Sequence, residues 1–309
     1  MEKTKRAPLG QNTVKSKLFY ALLLFIPTLQ FIVFYIVVHV NSFTLAFKVF
    51  PDGTARAWEW DKAFSNFTVW FNADKVRFLS AISVSLRAYL ISLIVGVPLG
   101  LFFSYYLFKR MPGAKFFRVI LFMPSIISAA VLGVIYKMVT DNVVRDLLDQ
   151  WFGLSVNFWG DVRYRFGTIM FFSVFVSFGT SVLMYTNKMT SIPPEMLESA
   201  QLDGASGIKE FWYIVLPQTY SIFTVFMIQS IAGCFSNQYS VMMLLDGGYS
   251  EPTDATPMGY MLWHGVEKQA GNVALMTPYA ALGVMITVVI VPVTFLARYL
   301  LNRFGWKEE

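Results

Sequence analysis

Residues 191–220 read SIPPEMLESAQLDGASGIKEFWYIVLPQTY, a polar island between two long apolar segments. Ser191 can cap a helix, and Pro193 and Pro194 fit its first turn, where a missing N–H costs nothing. Glu195 and Glu198 then fall toward the positive end of the helix dipole. Met196, Leu197 and Ala200 make a short apolar patch, and Asp203-Gly204 signals a turn. Beyond it Ile208, Phe211, Trp212 and Val215 recur at i, i+3, i+4 and i+7, one apolar stripe, until Pro217 ends or kinks it. The stretch predicts a helix-turn-helix held outside lipid, with an apolar face for docking.

What flanks this elbow is membrane. Of 309 residues 56% are hydrophobic and 14% charged, against about 25% charged in soluble domains. Six apolar segments, 18–40, 86–108, 116–139, 167–185, 220–244 and 277–300, are each near or above the ~20 residues that cross the hydrocarbon. The expected fold class is all-α, a polytopic membrane protein of six transmembrane helices with the helix-turn-helix of 191–217 on the cytoplasmic side. Residues 1–17 carry five basic residues against one acid, and the apolar run behind them lacks the short core and cleavage site of a signal peptide, so it should stay as a helix. The segments expected inside (1–17, 109–118, 188–217, 298–309) hold basic residues at about twice the density of the outside loops, which puts both termini in the cytoplasm. The net charge of +6 belongs to that topology signal rather than to nucleic acid.

Between the first two segments, 41–85 reads as an outside loop or small cap, with Trp58, Trp60 and Trp70 at the interface. Arg87 should snorkel to the surface, and Lys109–Arg118 should be an inside turn near lipid head groups. Ser92, Gly96, Gly100 and Ser104 repeat every fourth residue, a spacing that lets another helix approach closely. Pro27, Pro98, Pro124 and Pro292 should bend or break their spans. Ser173, Ser177 and Thr180 share one face, as do Gln229, Gly233, Ser236, Asn237 and Ser240. Gln229 and Asn237 would be costly in lipid, so these faces look into the bundle, either packing helices or lining a solute path.

Composition also excludes. A single cysteine, Cys234, precludes an intrachain disulfide, and two histidines, His39 and His264, read as interfacial or loop residues rather than metal ligands. No Walker A, H-E-x-x-H or G-x-S-x-G pattern occurs, so neither nucleotide binding by that route nor a catalytic or metal site is expected in this chain. No Asp or Glu falls within the six segments. Ion-driven carriers commonly keep such a residue or a broken-helix ion site at the midplane, so an external energy source is the more economical assumption.

Glu198-Ser199-Ala200, Asp203-Gly204-Ala205, Phe211, Ile214 and Leu216-Pro217 resemble the EAA loop, whose pattern is roughly E-A-A-x-x-D-G-A, a spacer, then I-x-L-P. That loop marks the membrane permease subunits of binding-protein-dependent ABC importers, and the chain is similar to their maltose and glycerol-phosphate branch. Ser199 replaces the first alanine, and Leu245-Asp246-Gly247-Gly248-Tyr249 stands where the branch shows T-x-G-G-P. The resemblance implies a second permease subunit as heterodimer partner, two separate ATP-binding subunits that carry ATP and magnesium, an extracytoplasmic solute-binding protein, a carbohydrate solute and a prokaryotic inner membrane. It implies coupling residues at Glu195, Met196, Leu197, Glu198, Ser199, Ala200, Asp203, Gly204, Ala205, Phe211, Leu216 and Pro217. Among these Met196, Leu197, Ala200 and Phe211 would give docking area, Glu198 an anchor, and Gly204 a bend that a Cβ would obstruct. A stand-alone carrier or channel, and a lipid-modifying membrane enzyme, are the rival readings.

Overall fold

A computed structural model describes residues 14–50, 62–72, 75–236 and 256–306. The elements are α1 (Leu18–Ala46), α2 (Ser65–Asn72), α3 (Lys75–Phe108), α4 (Ala114–Ile126), α5 (Ala129–Met138), α6 (Arg145–Phe152), α7 (Val162–Thr190), α8 (Pro194–Leu202), α9 (Ile208–Gln218), α10 (Tyr220–Ala232), α11 (Met258–Lys268) and α12 (Val273–Phe304). No strand occurs among the described residues, and the protein is an all-α polytopic membrane protein. Helices α1, α3, α7 and α12 are long and apolar enough to cross a bilayer, and α9 with α10 would add a fifth if the two, bent by 67°, counted as one.

Helix α1 is apolar all round, and its side chains from Leu18 to Val40 are exposed, the signature of a helix whose solvent is lipid. Only its end joins the bundle. There the Asn66 amide of α2 donates to the carbonyls of Ala46 (3.0 Å) and Lys48 (2.9 Å), while its oxygen accepts from Thr277 of α12 (3.2 Å). Among its described residues, the stretch expected as an outside loop or small cap is largely helical: α1 runs on to Ala46, α2 fills part of it, and α3 starts at Lys75. Trp70 is not interfacial but packed, its Nε1 donating to the Pro278 carbonyl at 2.8 Å and its ring set edge-on to Tyr279. Trp58 and Trp60 lie outside the described residues.

Among the described residues two apolar cores are the largest. One joins Trp70, Ala81, Met258, Met261 and Leu282; the other joins Leu101, Tyr105, Tyr185, Met189, Ile192, Phe211, Val215 and Leu216. Helix α3 runs through both. Against α7 it uses its small residues: Gly100 lies under the Tyr185 ring, and Ser104 Oγ reaches the Val182 carbonyl across the interface at 3.0 Å. Gly96, by contrast, has open space where a Cβ would stand, so the repeat of small residues is half packing and half cavity wall.

The third expected span is discontinuous. Pro124 cannot donate to Ile120, and three residues later Ile127 and Ser128 are extended (ψ 141° and 133°) between α4 and α5. Pro27 and Pro292 stay inside continuous helices. His264 is buried on α11, stacked on Tyr260, rather than in a loop. Arg87 does reach the surface, with its guanidinium 5.8 Å above the Phe166 ring.

Candidate functional site: an elbow and a polar cavity

The elbow grows directly out of α7. Ser191 does not cap the next helix; its hydroxyl turns back to the Lys188 carbonyl (2.7 Å) and closes α7. Pro193 takes the cap position instead, in extended conformation (φ −58°, ψ 132°), and Pro194 opens α8 with Glu195 in its first turn. The turn is a Schellman motif: Ala205 N–H donates to Ala200 O (2.9 Å), Gly204 N–H to Gln201 O (3.1 Å), and Gly204 has φ +78°. No atom lies within 4 Å of a Cβ built on Gly204. The glycine is therefore required by its left-handed backbone, not by crowding.

The second helix departs from the expected stripe. Phe211–Val215 is a π-helical turn, which rotates the periodicity. Phe211, Val215 and Leu216 are buried, with Phe211 stacked on Phe102 (5.2 Å) and tilted on Tyr105 (5.1 Å). Ala200 is buried as well, and Met196 and Leu197 are half-buried against the same core. The docking area expected of Ala200 and Phe211 is thus turned inward, where these residues and Leu216 seat the elbow on the bundle. Exposed instead are Glu195, Glu198, Ser199, Asp203 and four large apolar side chains, Leu202 (89%), Ile208 (75%), Tyr213 (74%) and Trp212 (50%).

One buried acid in the elbow carries no sequence pattern that marks it. Glu210 is 1% exposed and meets Lys109, the residue that ends α3, at 2.7 Å through Oε1 and 2.9 Å through Oε2. Tyr105 donates to the Gly207 carbonyl at 2.9 Å and lies 3.4 Å from Glu210 Oε1, and Gln201 Nε2 is 3.5 Å from Oε2. Lys109 therefore belongs to the elbow contact rather than to a free basic turn. At the elbow's other end Tyr220 donates to Leu301 O (3.0 Å) and meets Trp306 edge-on. The elbow, the 109–113 turn and the end of α12 consequently gather at one end of the bundle.

Between the two cores α3, α7 and α10 enclose a cavity of about 600 Å³. Ser92 and Gly96 of α3, Ser173, Ser177 and Thr180 of α7, and Gln229 and Gly233 of α10 line it, with no charged side chain in its wall. Ser177 spends its hydroxyl on the Ser173 carbonyl (2.8 Å), whereas the Ser173 hydroxyl is buried without a hydrogen-bond partner. Ser236 is exposed on the turn after α10 and is not part of the wall, because Gly233 ends that helix. Asn237, Ser240 and the Gly247-Gly248 pair lie outside the described residues. A larger cavity of about 840 Å³ lies between α2, α3, α10 and α12, but its lining is apolar, so it offers nothing to a polyhydroxylated solute. Tyr89 and Cys234 border both.

Known proteins are similar to this chain in sequence and in fold. The arabinooligosaccharides transport system permease protein AraP of Halalkalibacterium halodurans is 26% identical over 196 residues, 61% of this chain and 59% of that protein. Its Bacillus subtilis counterpart is 24% identical over 287 residues, 89% of this chain and 86% of that one. The maltose/maltodextrin permease protein MalF of Vibrio vulnificus is 23% identical over 186 residues, 59% of this chain and 35% of that protein. The chain thus spans well under two thirds of the length of some of these relatives. A chain from the crystal structure of a bacterial ABC transporter involved in the import of the acidic polysaccharide alginate has the same fold, with TM-score 0.78 at 20% identity over 94% of this chain and 96% of that one. With residues 96–306 matching its family pattern, more than half of the chain and all of the elbow, the protein belongs to the binding-protein-dependent transport system inner membrane components.

Proposed function

We propose that the chain is the permease subunit of an ABC importer for a neutral oligosaccharide, working beside a second permease chain and driven through the elbow by separate ATP-binding subunits. The observation that carries this is the elbow itself. It holds four large apolar side chains out of the bundle at the end of the protein shared with the 109–113 turn and the end of α12, and exposed apolar surface of that kind marks a protein contact. ATP and magnesium would sit on the partner, and the elbow would deliver its movement as a rigid body.

The solute reading rests on the cavity. Hydroxyl and amide groups without a charge suit a sugar that carries none. AraP is named for arabinooligosaccharides and MalF for maltose and maltodextrin. The alginate transporter was crystallised with a periplasmic protein bound to an alginate pentasaccharide, and delivery by such a binding protein is part of the proposal. In this reading α4 with α5 forms the third of six spans and α10 begins the fifth, with both termini and the elbow on the cytoplasmic side of the cell membrane.

Copurification of the tagged chain from its native membrane, followed by uptake in proteoliposomes, tests the whole. The expected result is an ATPase and a second permease in the complex, with uptake that needs ATP and a binding protein. Uptake by this chain alone, without nucleotide, would overturn it.

A further inference from the structure

The three helices around the polar cavity are tied to the elbow in different ways. Helix α7 runs into α8 through Ser191, Ile192 and Pro193, and α9 runs into α10 through Thr219, so two of the walls are joined to the elbow by the chain itself. Helix α3 is not. Lys109 caps its end and pairs with Glu210, a residue 101 positions away, while Tyr105 donates to the Gly207 carbonyl at 2.9 Å and packs with Phe102 on Phe211, so the ion pair is its charged tie to the elbow beside one hydrogen bond and an apolar contact.

An apolar contact would seat the elbow without directing it. Replacing a buried ion pair by apolar residues is often neutral or stabilising, so such a pair is poor evidence of stability. What this pair adds is direction, since one ammonium holds both carboxylate oxygens, at 2.7 and 2.9 Å. Halfway along, where α3 lines the cavity, Ser92–Gly96 forms a π-helical turn, with open space beside Gly96. Single π-turns inside α-helices are frequent at functional sites.

We propose that Lys109 and Glu210 form the latch that puts α3, the one cavity wall not joined to the elbow by the chain, under the elbow's control, with Ser92–Gly96 as the point where α3 yields. This rests on the elbow being where the ATPase acts. Both residues are positioning residues: a push on α8 and α9 pulls the end of α3 through the ion pair and shifts its Ser92–Gly96 stretch against α7 and α10. With the latch open, α7 and α10 still follow the elbow through the chain, and α3 keeps only the Tyr105–Gly207 hydrogen bond and its apolar packing on Phe211.

The test uses the assembled complex in proteoliposomes. Glu210→Gln is the variant of choice, because Lys109 is 26% exposed and can turn to water, whereas removing Lys109 would strand a buried carboxylate. The expected result is that Glu210→Gln keeps the ATPase bound and hydrolysing while solute moved per ATP falls by about five- to a hundredfold, the range of ordinary coupling energies. The exchange Lys109→Glu with Glu210→Lys should recover part of that loss. In a Cys234→Ser background, a polar thiol reagent should label Gly96→Cys at a rate that depends on nucleotide, and Glu210→Gln should remove that dependence. Unchanged solute per ATP and unchanged labelling would overturn the latch. Loss of hydrolysis and uptake in parallel, with the ATPase released, would also overturn it, since the pair would then merely hold the elbow together. A wild-type chain that captures no ATPase would refute the coupling reading itself, and this inference with it.

Discussion

The carbonyl oxygen of Leu121 lies so near Gly179 that a Cβ placed on Gly179 would stand 1.8 Å from it. Helix α4 therefore presses its backbone against α7 just before Pro124 and the break at Ile127 and Ser128. Because the obstacle is backbone, no side-chain rotation relieves it. Gly179→Ala should destabilise the bundle by at least about 1–3 kcal/mol, the ordinary cost of overpacking. Gly167→Ala on the same helix, where a Cβ meets nothing within 4 Å, should instead raise stability, by about 0.5–1 kcal/mol. Thermal unfolding of the two variants in detergent checks the contrast.

Gly204 makes the opposite case. Its space is open and its φ is +78°, so substitution is limited by backbone alone. Asn, which tolerates the left-handed region, should replace it at little cost, whereas Val should open the Schellman turn at a cost on the order of 1–3 kcal/mol. In the coupling reading Gly204→Asn keeps ATPase capture and uptake and Gly204→Val loses both. Pull-down and uptake measured on the same preparations decide it, and equal behaviour of the two variants would count against the turn's importance.

Burial separates seating from docking within the elbow. Phe211 is 3% exposed among Phe102, Tyr105 and Trp212, and Phe211→Ala should cost about 3–5 kcal/mol of stability. Leu202 and Ile208 are 89% and 75% exposed. Their replacement by Ser should leave the unfolding temperature where it is and weaken the ATPase complex. A calorimetric scan beside a binding titration distinguishes the two classes, and a Leu202→Ser Ile208→Ser chain that binds ATPase normally would remove that face from the contact.

These contrasts mark what local sequence carries and what it does not. The Asp203-Gly204 turn and the two short helices were legible because glycine, proline and helix starts act over a few residues. The inward turn of Phe211 was not, because a π-turn at Phe211–Val215 rotates the stripe that ideal periodicity assigns. The Lys109–Glu210 pair left no trace either: a contact between residues 101 positions apart has no local pattern, and each charge read as ordinary loop composition. Likewise Pro124 announced a break without saying which side the chain would resume on. The faces of Ser173, Ser177, Thr180, Gln229 and Gly233 were visible as polar stripes, and only the packing of α3, α7 and α10 shows that they share one cavity.

That cavity supports a prediction about solute choice. Ser173 and Gln229 line it from opposite helices, the Ser173 hydroxyl being buried without a partner and Gln229 being exposed to the cavity space. Neither side chain makes a hydrogen bond among the described residues, so Ser173→Ala and Gln229→Ala should unfold like the wild type. If a sugar hydroxyl meets these groups, each loss removes a hydrogen bond of about 0.5–1.5 kcal/mol. Half-saturation for uptake should then rise by about two- to tenfold, and more for a solute that uses both groups. Thr180→Val keeps shape and deletes one hydroxyl, so it tests whether the wall reads chemistry or size. Competition between sugars of different length in these three variants should reorder their preference, and an order identical to the wild type's in all three would leave the cavity as mere space between packed helices.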